Sequence, residues 1–216
     1  MTREPQFQLN GFSHTYSGSE GPAVGPLDVT GYSGQVLSLT GSSGSGKTTI
    51  LKALAGLLAI QKGNLTVAGR AIATSRDRHA LRPSVVSYVP QDVQLVRELT
   101  AEENVALPAI IQPSCKRLEA RDALARLGLA SMAQRFPDQL SGGEQQRVAL
   151  CRALSTSATV LLLDEPSAAL DQSAAESLME AIRSALAITG GVAVIATHDP
   201  VVIGASDLAV PVKSAA

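Results

Sequence analysis

Residues 41–48 read GSSGSGKT. The apolar run Val36 to Leu39 precedes them, and from Lys47 to about Leu58 the residues Ile50, Leu51, Leu54 and Leu58 recur at helical spacing. The eight residues match G-x-x-x-x-G-K-[ST] in the strand-then-helix setting that the motif requires. Glycines let successive backbone N–H groups turn inward around phosphate oxygens, and the start of the helix adds a partial positive charge. Lys47 is then expected to reach the β- and γ-phosphates, and the Thr48 hydroxyl to bind Mg²⁺. The plainer alternative, a Gly/Ser-rich turn with a chance lysine, leaves the flanking strand and helix unexplained. Alone, the loop implies nucleoside triphosphate binding, a property of kinases, GTPases, ATPases and motors alike.

A second apolar run, Val160 to Leu163, ends in Asp164-Glu165-Pro166. Two acids at the carboxyl end of a buried strand stand where open α/β sheets bind ligands. Asp164 can support a metal shell, and Glu165 can orient and polarise an attacking water. Acids that merely open a surface loop are the bland reading, which the nearby phosphate loop disfavours. Gln91, after VVSYVP, reads either as a solvated loop residue or as a contact to metal or water. His198, after VAVIAT, is either structural or aimed at the same ligand edge.

The 216 residues are 45% hydrophobic and 17% charged, which suits one domain, or one with an inserted lobe, around a large core. Aromatics make up 3%, so Leu, Val, Ile and Ala are expected to fill that core. Eighteen basic against 19 acidic residues leave no bulk basic field, and no nucleic-acid partner is expected. Cys115 and Cys151 lack metal-ligand or CxxC spacing and read as incidental thiols of a reducing compartment. The opening MTREPQFQLNGF has no apolar core of the signal-peptide kind. The runs LAGLLAI and GVAVIA fall short of the ~20 residues that cross a bilayer, so a membrane role would need another chain.

Along the chain, residues 64–90 look strand-rich. TAEE at Thr100 to Glu103 has capping-box spacing before an apolar run, and residues 115–127 read as a helix stopped by Gly128. A further helix should run on from LSGGEQQR to about Leu154. Residues 92–154 therefore read as a helical lobe placed between strands of an α/β core formed by 1–91 and 155–216. The core resumes with TVLLLDEP and a helix from about Gln172 to Thr189, with Leu178, Ile182, Leu186 and Thr189 at helical spacing. Gly190-Gly191 ends it before the strand VAVIATHD. Alternating buried strands and helices point to a mainly parallel sheet covered on both faces.

LSGGEQQR, residues 140–147, holds a second glycine-rich helix start, with Ser141 and Glu144 at S-x-x-E spacing. Glycine inside a helix costs about 1 kcal/mol against alanine. Its presence suggests a backbone that something must approach closely, and phosphate at a helix N-terminus is the natural candidate. Together with the phosphate loop and the carboxylate pair, in this order, the segment resembles the nucleotide-binding subunit of ATP-binding cassette (ABC) transporters. The likeness covers nearly the whole chain. Tyr16 in FSHTYSG matches the family's adenine-stacking aromatic, GSSGSGKT its Walker A loop, Gln91 its Q-loop and LSGGEQQR its signature. LLLDEP matches Walker B with the catalytic glutamate, Ser167 to Asp171 (SAALD) the D-loop, and His198 the switch histidine.

The resemblance implies a P-loop NTPase (RecA-like) core, an N-terminal antiparallel β subdomain and an inserted helical signature subdomain, in one domain over 1–216. It implies ATP and Mg²⁺ as ligands. Nucleotide contacts would come from Tyr16, Gly41, Ser42, Ser43, Gly44, Ser45, Gly46, Lys47, Thr48, Thr49, Gln91, Asp164 and Asp171. Thr48, Gln91 and Asp164 would serve the metal, and Glu165, His198, Gln91 and Lys47 the chemistry. In this family two cassettes pair head to tail, so Ser141, Gly142 and Gly143 would bind the γ-phosphate of a second, identical subunit. A separate transmembrane permease, docking beside Gln91, would hold the chain peripherally at the cytoplasmic face of the membrane. LVRELTAEENVALPAII, residues 95–111, further resembles lipoprotein-release and macrolide-export cassettes, from which SAALD and CRAL (151–154) depart. The runner-up is a non-transport ABC ATPase acting on ribosomes or DNA; such proteins usually carry tandem cassettes or long coiled-coil insertions, and neither is found in these residues. A P-loop kinase or GTPase would have no use for LSGGEQQR, and no NKxD-type motif is present.

Overall fold

The computed structural model describes residues 4–19, 21–81, 85–115, 118–168 and 170–213. The first third runs β1 (Pro5–His14), β2 (Val24–Tyr32), β3 (Val36–Thr40), α1 (Lys47–Leu54), β4 (Lys62–Val67) and β5 (Arg70–Ala71). Then come α2 (Ser75–Ala80), β6 (Val86–Val89), α3 (Ala101–Ile111), α4 (Ala120–Arg126) and α5 (Gly142–Leu154). The chain closes with β7 (Val160–Asp164), α6 (Gln172–Thr189), β8 (Val192–Ala196), α7 (Pro200–Gly204) and β9 (Leu208–Pro211). Two sheets result: an antiparallel one in the order β2-β1-β4-β5, and a parallel one in the order β6-β7-β8-β3-β9.

Strand side chains alternate between faces, so each apolar run of the parallel sheet feeds two cores at once. Val36, Leu161, Leu163, Ala193 and Ile195 pack with Val105 of α3, Leu150 of α5 and Ile182 of α6. Leu37, Leu39, Leu162, Val194 and Ala196 pack on the other side with Ile50, Leu51 and Leu54 of α1. Phe7, Leu9 and Phe12 of β1 close that second core, which adds two buried aromatics to the expected aliphatic filling. At roughly 25 cal/mol per Å² of apolar surface removed from water, this two-sided burial is the main force holding the layers together.

The run α3, α4, α5 lies between β6 and β7. Thr100 caps α3 with the full reciprocal box: its N–H donates to Glu103 Oε2 at 2.8 Å, and Glu103 N–H donates back to its hydroxyl. One turn on, the fully buried Asn104 accepts from Val96 N–H and donates to the carbonyls of Val96, Leu99 and Thr100. That side chain fixes the loop leading from Gln91 into α3.

Three expectations about local structure need correction. The first helix stops at Leu54, because Gly56 takes a left-handed conformation (φ 68°) and Leu57 N–H bonds back to Lys52 O, so Leu58 lies off its buried face. Of the helix expected at 115–127, the described residues form a 3-10 turn over Pro113–Cys115 and a helix over Ala120–Arg126, while residues 116–117 lie outside the described ones. The stretch expected to be strand-rich contains α2, capped by Thr74 and Asp77. Helix α6 spans Gln172–Thr189 as expected, with Leu178, Ile182 and Leu186 buried and Thr189 half-buried.

Candidate functional site

The loop between β3 and α1 is shaped by its glycines. Gly46, at φ 100°, is the N-cap of α1 and offers no side-chain cap. A Cβ there would meet Val24 Cγ2 and the Ala23 carbonyl oxygen, the latter at 2.6 Å. The buried Lys47 ammonium closes over the loop, donating to Gly41 O at 2.9 Å and Ser42 O at 3.1 Å. A fixed cation and the open helix start thus face one space.

The end of β7 supplies the opposite charge. Asp164 is aligned with Ala196 of β8 and is buried. Its Oδ1 accepts from the Thr48 hydroxyl at 3.2 Å and its Oδ2 from the Tyr88 hydroxyl at 3.4 Å. Burial pushes its carboxyl above the usual range and Glu165 adds to that, while the hydrogen bonds from Thr48 and Tyr88 and the charge of Lys52 oppose it. Tyr88 is pushed up as well, first by burial and then by the Asp164 charge. A desolvated carboxylate beside a threonine hydroxyl is a hard-oxygen donor set, which suits Mg²⁺, and Gln91 lines the same cleft.

Glu165 turns out of the strand at φ 48°. Its N–H donates to Ala196 O at 2.8 Å, and its carbonyl accepts from Gln146 Nε2 at 3.0 Å. Its Oε2 lies 3.0 Å from His198 Nδ1; the imidazole is largely exposed and the carboxylate is 12% exposed. With the Nδ1 proton directed at Glu165, Nε2 is left for a group in the cleft. At the other end the Tyr16 and Thr49 hydroxyls lie 3.1 Å apart, and the rings of His14 and Tyr16 pack edge to face at a centroid distance of 4.8 Å.

These groups line one cleft of about 760 Å³: Tyr16, Ala23, all of Gly41 to Thr49, Gln91, Asp164, Glu165, Ala168 and His198. The volume suits a nucleotide-sized ligand. Two expected contributors stand apart. Asp171 caps α6, accepting from Ala174 N–H at 2.8 Å, and lines an adjoining cleft shared with Glu165, His198 and Asp199. Ser141, Gly142 and Gly143 line neither cleft; Ser141 is the exposed N-cap of α5, and its N–H and hydroxyl both donate to Glu144 Oε2. Those two bonds hold the Glu144 carboxyl below its usual range.

Two further residues that touch the site, Tyr88 and Gln146, are not singled out by any motif role in the sequence. Gln146 sits inside LSGGEQQR, and helical spacing from Leu150 and Ala153 would have marked it as inward-facing. Nothing local marks Tyr88, whose contact with Asp164 arises from the pairing of β6 with β7.

A family model described as "ABC transporter" matches residues 24–168. The chain belongs to the ABC transporter family. Within it, the chain has the fold of an ATP-binding cassette. The macrolide export ATP-binding/permease protein MacB of Escherichia coli (strain K12) is 38% identical over 192 residues, 87% of this chain. The cassette spans 29% of that relative's length. An uncharacterized ABC transporter ATP-binding protein of Mycobacterium tuberculosis (strain H37Rv) is 35% identical over 93% of this chain and 84% of its own. Among solved structures, the dimeric, post-hydrolysis form of the ATP-binding cassette MJ0796 bound to ADP and Pi superposes with a TM-score of 0.86. It is 29% identical, over 96% of this chain and 94% of that one. The cassette cbiO1 from Clostridium perfringens, part of the complex cbiONQ, gives a TM-score of 0.81 at 25% identity, over 98% and 86%.

Proposed function

We propose that this cassette binds MgATP in the 760 Å³ cleft, pairs head to tail with a second copy of itself, and hydrolyses the nucleotide to drive a membrane permease on another chain. The carrying observation is the split between its two glycine-rich helix starts. Lys47, Thr48, Asp164, Glu165 and His198 share one cleft, while Ser141 to Gly143 lie outside its lining, with Ser141 and Gly142 exposed. A mate's signature laid over that cleft completes the phosphate environment. The dimeric, ADP-bound structure of MJ0796 supports the pairing. Among the described residues no helix is long and apolar enough to cross a membrane. The Mycobacterium relative, an ATP-binding protein matched over 84% of its own length, supports a permease on a separate chain, with the cassette held peripherally at the cytoplasmic face. The unit would be a single domain over 1–216, with 92–154 as its helical lobe.

The residues take defined roles. Tyr16 stacks on the base, the N–H groups of Gly41 to Thr49 and the Lys47 ammonium hold the β- and γ-phosphates, and Asp171 serves the shared interface. Thr48, Asp164 and Gln91 would hold Mg²⁺, which would supply neutralisation of the negative charge that develops on the phosphates. Glu165, steadied by His198, polarises a water that attacks the γ-phosphorus; the bond to the bridging oxygen breaks and ADP, phosphate and a proton leave. Loss of the γ-phosphate removes contacts that only the closed dimer makes, so the pair reopens.

Glu165→Gln tests this. Turnover should fall by about 10²–10⁴-fold, the range of a lost general base. Size-exclusion chromatography with ATP and Mg²⁺ should then show a stable dimer where the parent cycles. A variant that stays monomeric under those conditions would refute the head-to-tail scheme. Isolation of the native complex with ribosomes or DNA, in place of a membrane protein, would refute the transport role.

A further inference from the structure

We propose that Gln146 is a positioning residue tying the signature helix to Glu165, so that a phosphate held by one chain's Ser141–Gly143 adjusts the carboxylate of that same chain's own cleft. The inference rests on the role of Glu165 proposed above. Glu165 is one of two described non-glycine residues at positive φ, a backbone conformation that L-residues avoid unless their surroundings enforce it. Three hydrogen bonds hold it. From the sheet side, Ala196 O accepts its N–H at 2.8 Å; its carbonyl accepts from Ala168 N–H at 3.3 Å within the following turn and, more closely, from Gln146 Nε2 at 3.0 Å. Of the three, the bond from Gln146 alone belongs to α5.

Gln146 is buried, and the helix beyond it is anchored in the core by Val148, Ala149, Leu150 and Cys151, all buried. It lies five residues after Ser141, a rise of roughly 7 Å along a stiff helix. Farther along the same helix, Arg152 donates to Gln94 O at 3.4 Å, in the segment that follows Gln91. One rod therefore carries the exposed glycine turn, the clamp on the catalytic glutamate and a contact to the loop after Gln91. A small rotation of α5 changes the Gln146–Glu165 bond before it changes any phosphate contact in the chain's own cleft. Each site in a dimer would thereby sense whether the other is filled.

Gln146→Met keeps side-chain length and burial but removes the donor. At saturating ATP, kcat should fall about 10-fold or more, while KM stays within about 2-fold, the pattern of an interaction that matters only in the transition state. In the Glu165→Gln background, ATP-dependent dimer trapping should be unaffected by Gln146→Met. Should Gln146→Met not fold, Gln146→Glu, equal in length and without a donor when ionised, is read the same way. A kcat within about 2-fold of the parent overturns the proposal. So does a joint loss of kcat, ATP affinity and dimer trapping, or failure of both variants to fold, since these mark a merely structural residue. A parent that hydrolyses ATP beside an unchanged Gln146→Met refutes the coupling alone. A parent without turnover refutes this and the proposed function together.

Discussion

Helices α1 and α5 both begin in glycine-rich turns, and their glycines are there for different reasons. At α1 the N-cap is Gly46, with no side-chain cap, a backbone at φ 100° and neighbours that leave no room for a Cβ. At α5 the N-cap is Ser141, closed by a full capping box with Glu144; a Cβ on Gly142 would meet nothing within 4 Å, and its φ is not positive. The first turn needs glycine in order to fold. In the second, nothing around Gly142 within the chain needs it, and the proposed pairing offers a reason from outside the chain. Stability measurements on the isolated cassette, set beside nucleotide-dependent pairing, can separate the two cases.

The largest effect is expected at α1. In Gly46→Ala the left-handed strain and the overlap with Ala23 and Val24 should together cost about 3 kcal/mol. That corresponds to a fall of about 6–12 °C in Tm for a chain of this size, measured without nucleotide. A Tm within about 2 °C of the parent would mean that α1's glycine is as dispensable to folding as α5's, and the contrast would collapse.

Asp164 sharpens the same contrast, because the α1 side of the molecule carries a functional charge at the expense of stability. Burial raises its folded-state pKa, so its favourable contribution is present below the unfolded value near 4 and is lost as pH rises through the folded one. At neutral pH without Mg²⁺ the buried carboxylate is therefore a net liability. Asp164→Asn should stabilise the metal-free cassette at pH 7 and abolish turnover, with the stability difference vanishing below about pH 4. Thermal unfolding of both proteins across pH 3–8 checks the sign; a destabilised Asn variant at neutral pH would show that the charge is already compensated within the chain.

How much of this could be read beforehand follows from where each signal is stored. The cleft was legible because the parallel sheet does the gathering: the loop after β3, Gln91 after β6, Asp164 at the end of β7 and His198 after β8 all follow carboxyl ends of neighbouring strands. Helix α6 was legible because a long apolar period ran between Asp171 and Gly190. Helix α2 was not: it buries none of its residues, and its only mark is the Thr74–Asp77 cap. The end of α1 is hidden in the sequence because LAGLLAI keeps an apolar rhythm through Gly56, whose left-handed turn ends the helix. The bonds from Gln146 to Glu165 and from Tyr88 to Asp164 join distant segments, and only packing and strand register reveal them.

The smallest expected change in stability is the most telling. In Gly142→Ala the new methyl group projects into open space at the first helical position, where alanine is the better helix former. The isolated cassette should gain about 0.5 kcal/mol at most, or about 1–2 °C in Tm. The same methyl group would stand between the turn and a phosphate pressed against it. With Gly142→Ala placed in the Glu165→Gln background, ATP should no longer trap a dimer, although ATP binding to the monomer, followed by equilibrium dialysis, should match the parent. Loss of pairing in a protein that is no less stable assigns that glycine's purpose to a second molecule. A dimer trapped as well as in Glu165→Gln alone would instead show that the turn at Ser141 meets no nucleotide, and its glycine would then have no more external purpose than any exposed helix start.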